Sequence, residues 1–140
     1  MNGEMQDDPL GKLFDTTSVQ DQRELLADTV YPYARIDGET LEVHFTEEGE
    51  ALTSREKILV FLLMRKALFM RNIVSKEAMG PSEIEKGLMT IPGGTLRPLL
   101  RKLVDERLVR TDKGEDGGYY VPGNRIKEIN ALLSKKGAKS

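Results

Sequence analysis

The chain has 140 residues, a formal charge of −2 and no cysteine, which fits one ordinary domain with a short extension. Disulfides, thiolate nucleophiles, Cys-based zinc sites and iron–sulfur clusters are excluded. With 39% hydrophobic and 31% charged residues the composition is globular, but the charge is uneven. Residues 1–50 hold 3 Lys+Arg against 13 Asp+Glu, and residues 51–140 hold 18 against 10, so either the C-terminal portion meets a polyanion or two solvated faces differ in sign.

In chain order, residues 1–16 are acidic and small polar, with only Leu10, Leu13 and Phe14 to bury, and are expected to be loosely held. This start lacks the basic residues and apolar stretch of a secretory signal. The longest apolar run, 58–64, falls well short of the roughly 20 residues that cross a bilayer. A cytoplasmic protein without membrane contact is expected. Residues 18–28 predict a short helix through Val19, Leu25 and Leu26, with Ser18 as its cap. Residues 29–46 predict a hairpin about Asp37-Gly38, whose two-residue turn sets Ile36 opposite Glu39, Ala34 opposite Leu41, Pro32 opposite Val43 and Val30 opposite Phe45. Residues 47–51 are a polar joint. Thr53 and Glu56 have the spacing of a capping box and open a long helix through Ile58, Leu59, Phe61, Leu62, Leu63, Ala67 and Leu68. Being apolar nearly all round, this helix must be covered by the rest of the domain or by a second copy of the chain.

Pro81 suits the first position of a short helix over 81–88 that buries Ile84 and Leu88. After a turn over 89–94, residues 95–107 carry Leu96, Leu99, Leu100, Leu103 and Val104 at i, i+3, i+4, i+7 and i+8, the cleanest periodic signal in the chain. Stepping about 100° per residue from Leu96, the opposite side carries Thr95, Pro98, Arg101, Lys102 and Asp105, with Arg97 at its margin. Pro98 is accommodated if the helix starts no earlier than Thr95. Two short strands, 109–111 and 118–122, flank the polar loop 112–117 and make a second hairpin. Asn124 is placed to cap a last helix containing Ile126, Ile129, Leu132 and Leu133.

The expected fold class is therefore mainly α with small β hairpins (α+β). An acidic extension over 1–50 precedes a domain over 51–140. From residue 53 to about 133 the chain resembles the winged helix-turn-helix family, small archaeal DNA-binding proteins and transcription regulators in particular. The resemblance rests on Pro81-Ser82-Glu83-Ile84, on Ile91-Pro92-Gly93-Gly94-Thr95-Leu96-Arg97, on Leu100-Arg101-Lys102-Leu103-Val104-Asp105-Glu106-Arg107-Leu108-Val109, and on Gly118-Tyr119-Tyr120-Val121. It implies that 95–107 is a recognition helix and 111–118 a wing. Double-stranded DNA binding by Thr95, Arg97, Arg101 and Lys102 from the helix, with Arg110 and Lys113 from the wing, is then expected, in a transcription regulator. Asp112, Glu115 and Asp116 oppose a purely electrostatic wing. Two departures stand out: Glu85 occupies a position where the family commonly has a small residue, and the turn before Thr95 is longer than usual.

Winged-helix domains also serve as protein-interaction modules, which is the alternative reading. An enzyme is not expected. His44 is the only histidine, so a two-histidine metal site and a Cys–His pair are impossible within one chain, and the register above makes it a surface residue opposite Tyr31. Asp7-Asp8 and Glu47-Glu48 read as solvated acids. Gly93-Gly94 lacks the Lys-Ser/Thr of a phosphate loop. No cofactor and no metal are expected. A homodimer is, with the acidic N-terminal segment serving self-association or a protein partner.

Overall fold

The computed structural model describes residues 9–13, 19–112 and 117–138. Its elements are a 3-10 turn (Pro9–Leu13), α1 (Val19–Val30), β1 (Ala34–Ile36), β2 (Val43–Phe45), α2 (Glu47–Glu50), α3 (Ser54–Met70), α4 (Pro81–Gly87), α5 (Gly93–Asp105), β3 (Arg110–Thr111), β4 (Tyr119–Tyr120), a 3-10 turn (Gly123–Arg125) and α6 (Ile126–Ala138). Among the described residues this is a mixed α+β chain of six helices and two antiparallel two-stranded hairpins.

α3 is the axis of the fold. The Thr53 hydroxyl accepts from the Glu56 amide and the Glu56 carboxylate accepts from the Thr53 amide, so both halves of the capping box form. All seven residues of the apolar run, Ile58 through Met64, are buried. α1, α4, α5, β1 and β4 all pack on this helix. Its cover comes from its own chain, and a second copy is not needed to hide it. The helix ends at Asn72 in a left-handed conformation (φ 61°), with the Ile73 amide donating to the Leu68 carbonyl at 2.9 Å.

One hydrophobic core runs through the molecule. Leu26, Val30 and Ala34 from the acidic portion share it with Ile84, Leu96, Leu100, Leu103, Ile126 and Ile129. α1 packs on both α3 and α6, and polar bonds fix that contact: Asn130 Nδ2 donates to the buried Thr29 hydroxyl at 2.8 Å, and this hydroxyl donates to the Leu25 carbonyl at 2.6 Å. The Tyr33 hydroxyl donates to the Leu133 carbonyl at 3.2 Å. Burial, followed by the nearby Glu48 and Glu56 charges, raises the Tyr33 pKa.

The first hairpin differs from the sequence expectation. α1 continues to Val30, so residues 29–32 are not strand, and the pairs are Ala34 with Phe45, Arg35 with His44 and Ile36 with Val43. The expected partners of Val30, Pro32, Ala34, Ile36 and His44 are therefore all corrected. In place of a two-residue turn there is a six-residue loop over 37–42, because Asp37 organises it. Asp37 Oδ1 accepts from the amides of Glu39 and Thr40 at 2.8 and 2.9 Å, and Leu41 takes a left-handed conformation (φ 64°). The partner of Ala34 moves by four residues, an even number, so Ala34, Ile36, Val43 and Phe45 keep the inward face assigned to them.

Thr46 caps α2 by accepting from the Gly49 amide at 3.1 Å. A Cβ on Gly49 would lie 2.0 Å from the Tyr33 carbonyl oxygen, so only glycine lets the backbones approach this closely. The second hairpin pairs Arg110 with Tyr120 and Thr111 with Tyr119. Met79 bridges to Tyr119 through amide–carbonyl bonds of 2.9 and 2.8 Å, tying the segment before α4 to β4. α6 follows a 3-10 turn that contains Asn124, which therefore does not cap it as expected. Ser18 lies outside the described residues. No helix among the described residues is long and apolar enough to cross a membrane.

Candidate nucleic-acid interface

α4 and α5 meet across the turn 88–92. Gly80 precedes α4, Pro81 takes its first position, and Ile84 and Leu88 face the core at 0% and 2% exposure. α5 begins at Gly93 with Pro92 before it, two residues earlier than the periodicity placed it. Pro98 therefore lies inside the helix, at its sixth position, and the late start that would have spared it is corrected. Pro98 has no amide hydrogen to give the Gly94 carbonyl. The earlier start follows from the turn: the Thr95 and Leu96 amides both donate to the Pro92 carbonyl at 2.9 Å, and Gly93 and Gly94 adopt helical geometry.

The two faces of α5 are sharply different. Leu96, Leu100 and Leu103 are 0% exposed, while Thr95, Arg97, Pro98, Arg101, Lys102 and Asp105 are exposed. Arg101 and Lys102 form no ion pair with a described residue. Arg97 does: its Nε lies 3.0 Å from Glu85 Oε1 on α4. The same Glu85 oxygen would be 3.1 Å from a Cβ on Gly93. The carboxylate thus sits over the first turn of α5 and bridges to Arg97.

The end of α5 aims the chain into the hairpin. Arg107 is left-handed (φ 65°), the Leu108 amide donates to the Leu103 carbonyl at 3.1 Å and the Arg107 amide to that of Val104 at 2.9 Å. Leu108 and Val109 are turned into the core, and Arg110 emerges exposed on β3. Lys113, expected at the loop tip, lies outside the described residues. Arg107, left out of the DNA contacts that the sequence leads one to expect, takes the left-handed conformation at this helix end. It is exposed, three residues before Arg110.

The described elements of the acidic portion make their main contacts away from α5. α1 packs on α3 and α6, and the first hairpin on α3 and α2. Around the hairpin, His44 is exposed, lies 3.8 Å from the Asp37 carboxylate and stands opposite Arg35. Glu47 and Glu48 are exposed in α2, while Asp7 and Asp8 lie outside the described residues. Among the described residues no three potential ligands converge on a metal position. Comparison with protein-family models, with curated proteins and with solved structures gives no match.

Proposed function

We propose that the protein is a winged helix-turn-helix regulator that reads double-stranded DNA with α5. The observation that carries this reading is the split of α5 into a leucine face closed in the core and an exposed face with Arg101 and Lys102 unpaired among the described residues. An Arg on such a helix can pair with guanine edges in the major groove, and Lys and Thr can hold phosphates. Arg110 on β3 supplies a backbone contact beside it. Further support comes from the order α3, α4, α5, β3, β4 and from the Met79–Tyr119 bridge that seats the hairpin against this helix group. In this reading Arg97 serves first as the link to Glu85 and meets DNA only after exchanging that partner. Dimerisation has less support than the sequence suggested, since α3 is covered within one chain.

The test is DNA binding at two salt concentrations, with log affinity falling by about 0.9 per phosphate contacted for each unit of log salt. Arg101→Ala should lower affinity roughly tenfold and leave the fold intact. Leu100→Ala should cost about 2–5 kcal/mol of stability. Equal DNA affinity for Arg101→Ala removes that residue from the interface.

A second reading, a protein-interaction module, is favoured by Met89, which stands 84% exposed on the turn between α4 and α5 and has the side chain type enriched at protein interfaces. A salt-independent response to DNA, with partner binding lost in Met89→Ser, would select it.

A further inference from the structure

On the side of α3 that faces the first hairpin, a cleft of about 320 Å³ opens between the loop and start of β2, α3, Met79 and the end of α4. That volume lies at the small end of the roughly 300–1,000 Å³ range of small-molecule sites. Its walls are apolar, from Val43, Phe61, Leu68 and Met79, and two cations line it, Arg65 and Lys86. Arg65 is pre-oriented: its Nε donates to the Lys76 carbonyl at 3.0 Å. Its Nη2 is 3.9 Å from Glu83 Oε2, too far for a hydrogen bond, so the end of the guanidinium fork keeps donor capacity. Lys86 is exposed and forms no ion pair with a described residue. Glu42 also lines the cleft and Glu83 stands beside Arg65, so a preference for an anion rests on Lys86 and on the unused guanidinium donors rather than on an excess of charge.

Two backbone features border this cleft. Leu41, at its rim, is kept left-handed by the loop that Asp37 organises. At the other end Gly87 meets the ring of Phe61 so closely that a Cβ would be 2.0 Å from Cζ. The first is a conformation that an ordinary side chain resists, and the second an approach that leaves no room for one.

We propose that this cleft binds a small apolar carboxylic acid, its carboxylate held by Arg65 and Lys86 and its body seated between Phe61, Leu68, Val43 and Met79. The inference is independent of DNA reading. Apolar walls alone would take a neutral ligand equally well; the two cations that line the cleft select the anion, and a carboxylate matches the donors of a guanidinium.

The experiment is a titration of the full chain, followed by NMR of its methyl groups, with 3-phenylpropanoate and with its neutral amide. Saturable shifts at Val43, Leu68 and Met79 are expected with the acid, and binding roughly tenfold weaker with the amide. Lys86→Gln, at an exposed position, should weaken the acid, and Glu42→Gln should tighten it. Absence of saturable shifts at those methyls, equal binding of acid and amide, or indifference of the acid to Lys86→Gln would each overturn the proposal.

Discussion

Lys66 sits within the buried length of α3 with its side chain 8% exposed, and its Nζ lies 2.6 Å from Glu77 Oε2, itself a buried atom. In the sequence the Arg65-Lys66 pair only interrupts an apolar run. Nothing local predicts that the second of the two turns inward, because its partner stands eleven residues away in the loop before α4. Removing one member of a buried pair leaves a charge without compensation, at about 3–5 kcal/mol. Lys66→Met should accordingly lower the unfolding free energy by about that much in urea, and adding Glu77→Leu should recover most of it. A single-variant loss under about 1 kcal/mol would mean that water already reaches the pair. The same contrast separates the residues of α5. Burial of Leu96, Leu100 and Leu103 follows from their spacing, and so does the exposure of Arg101 and Lys102. The Arg97–Glu85 pair could not be read, since it depends on how α4 and α5 cross.

α5 departs from its expected start at one identifiable place. Pro98 leaves the Gly94 carbonyl without its intrahelical donor, so Pro98→Ala should raise stability by about 1–3 kcal/mol, read as an increased thermal midpoint. An unchanged or lowered midpoint would show that the proline ring makes packing contacts worth as much as the bond it removes. The first hairpin carries a pH dependence. Hydrogen bonds from the Thr40 and Glu39 amides, with a smaller contribution from the His44 charge, hold the Asp37 carboxyl below its ordinary value. A carboxyl lowered in the folded state stabilises above the ordinary range, near pH 4, and loses that contribution as pH falls through the lowered value. The protection of the amides in residues 39–41, measured relative to intrinsic exchange at each pH, should therefore fall on acidification below about pH 4, before that of the helices. Asp37→Asn, which retains an acceptor, should remove the acid sensitivity. Hairpin existence and inward face were legible from alternation. The register was not: a two-residue turn and an Asx-organised loop both suit Asp37-Gly38, and the choice depends on α1 having consumed residues 29 and 30 as helix.

For the whole molecule, the main structural consequence is that the acidic portion contributes to the same core as the rest. Deleting residues 1–50 strips Leu26, Val30 and Ala34 from α3 and removes the Thr29–Asn130 and Tyr33–Leu133 bonds. The truncated chain should lose its cooperative thermal transition, seen by circular dichroism; a transition retained at the same midpoint would mean that residues 51–140 fold alone. The sequence by itself determined the identity of most elements, the mixed α+β class, the inward and outward faces of α5, and the uneven charge. Each of these is written in spacing, caps and turn residues within a few positions of one another. Only the tertiary structure decided the hairpin register, the cover of α3 by its own chain, the inward turn of Lys66, the capture of Arg97 by Glu85 and the cleft beside Phe61. All five depend on groups brought together from distant parts of the chain, whose meeting is set by how the helices pack and by no local preference.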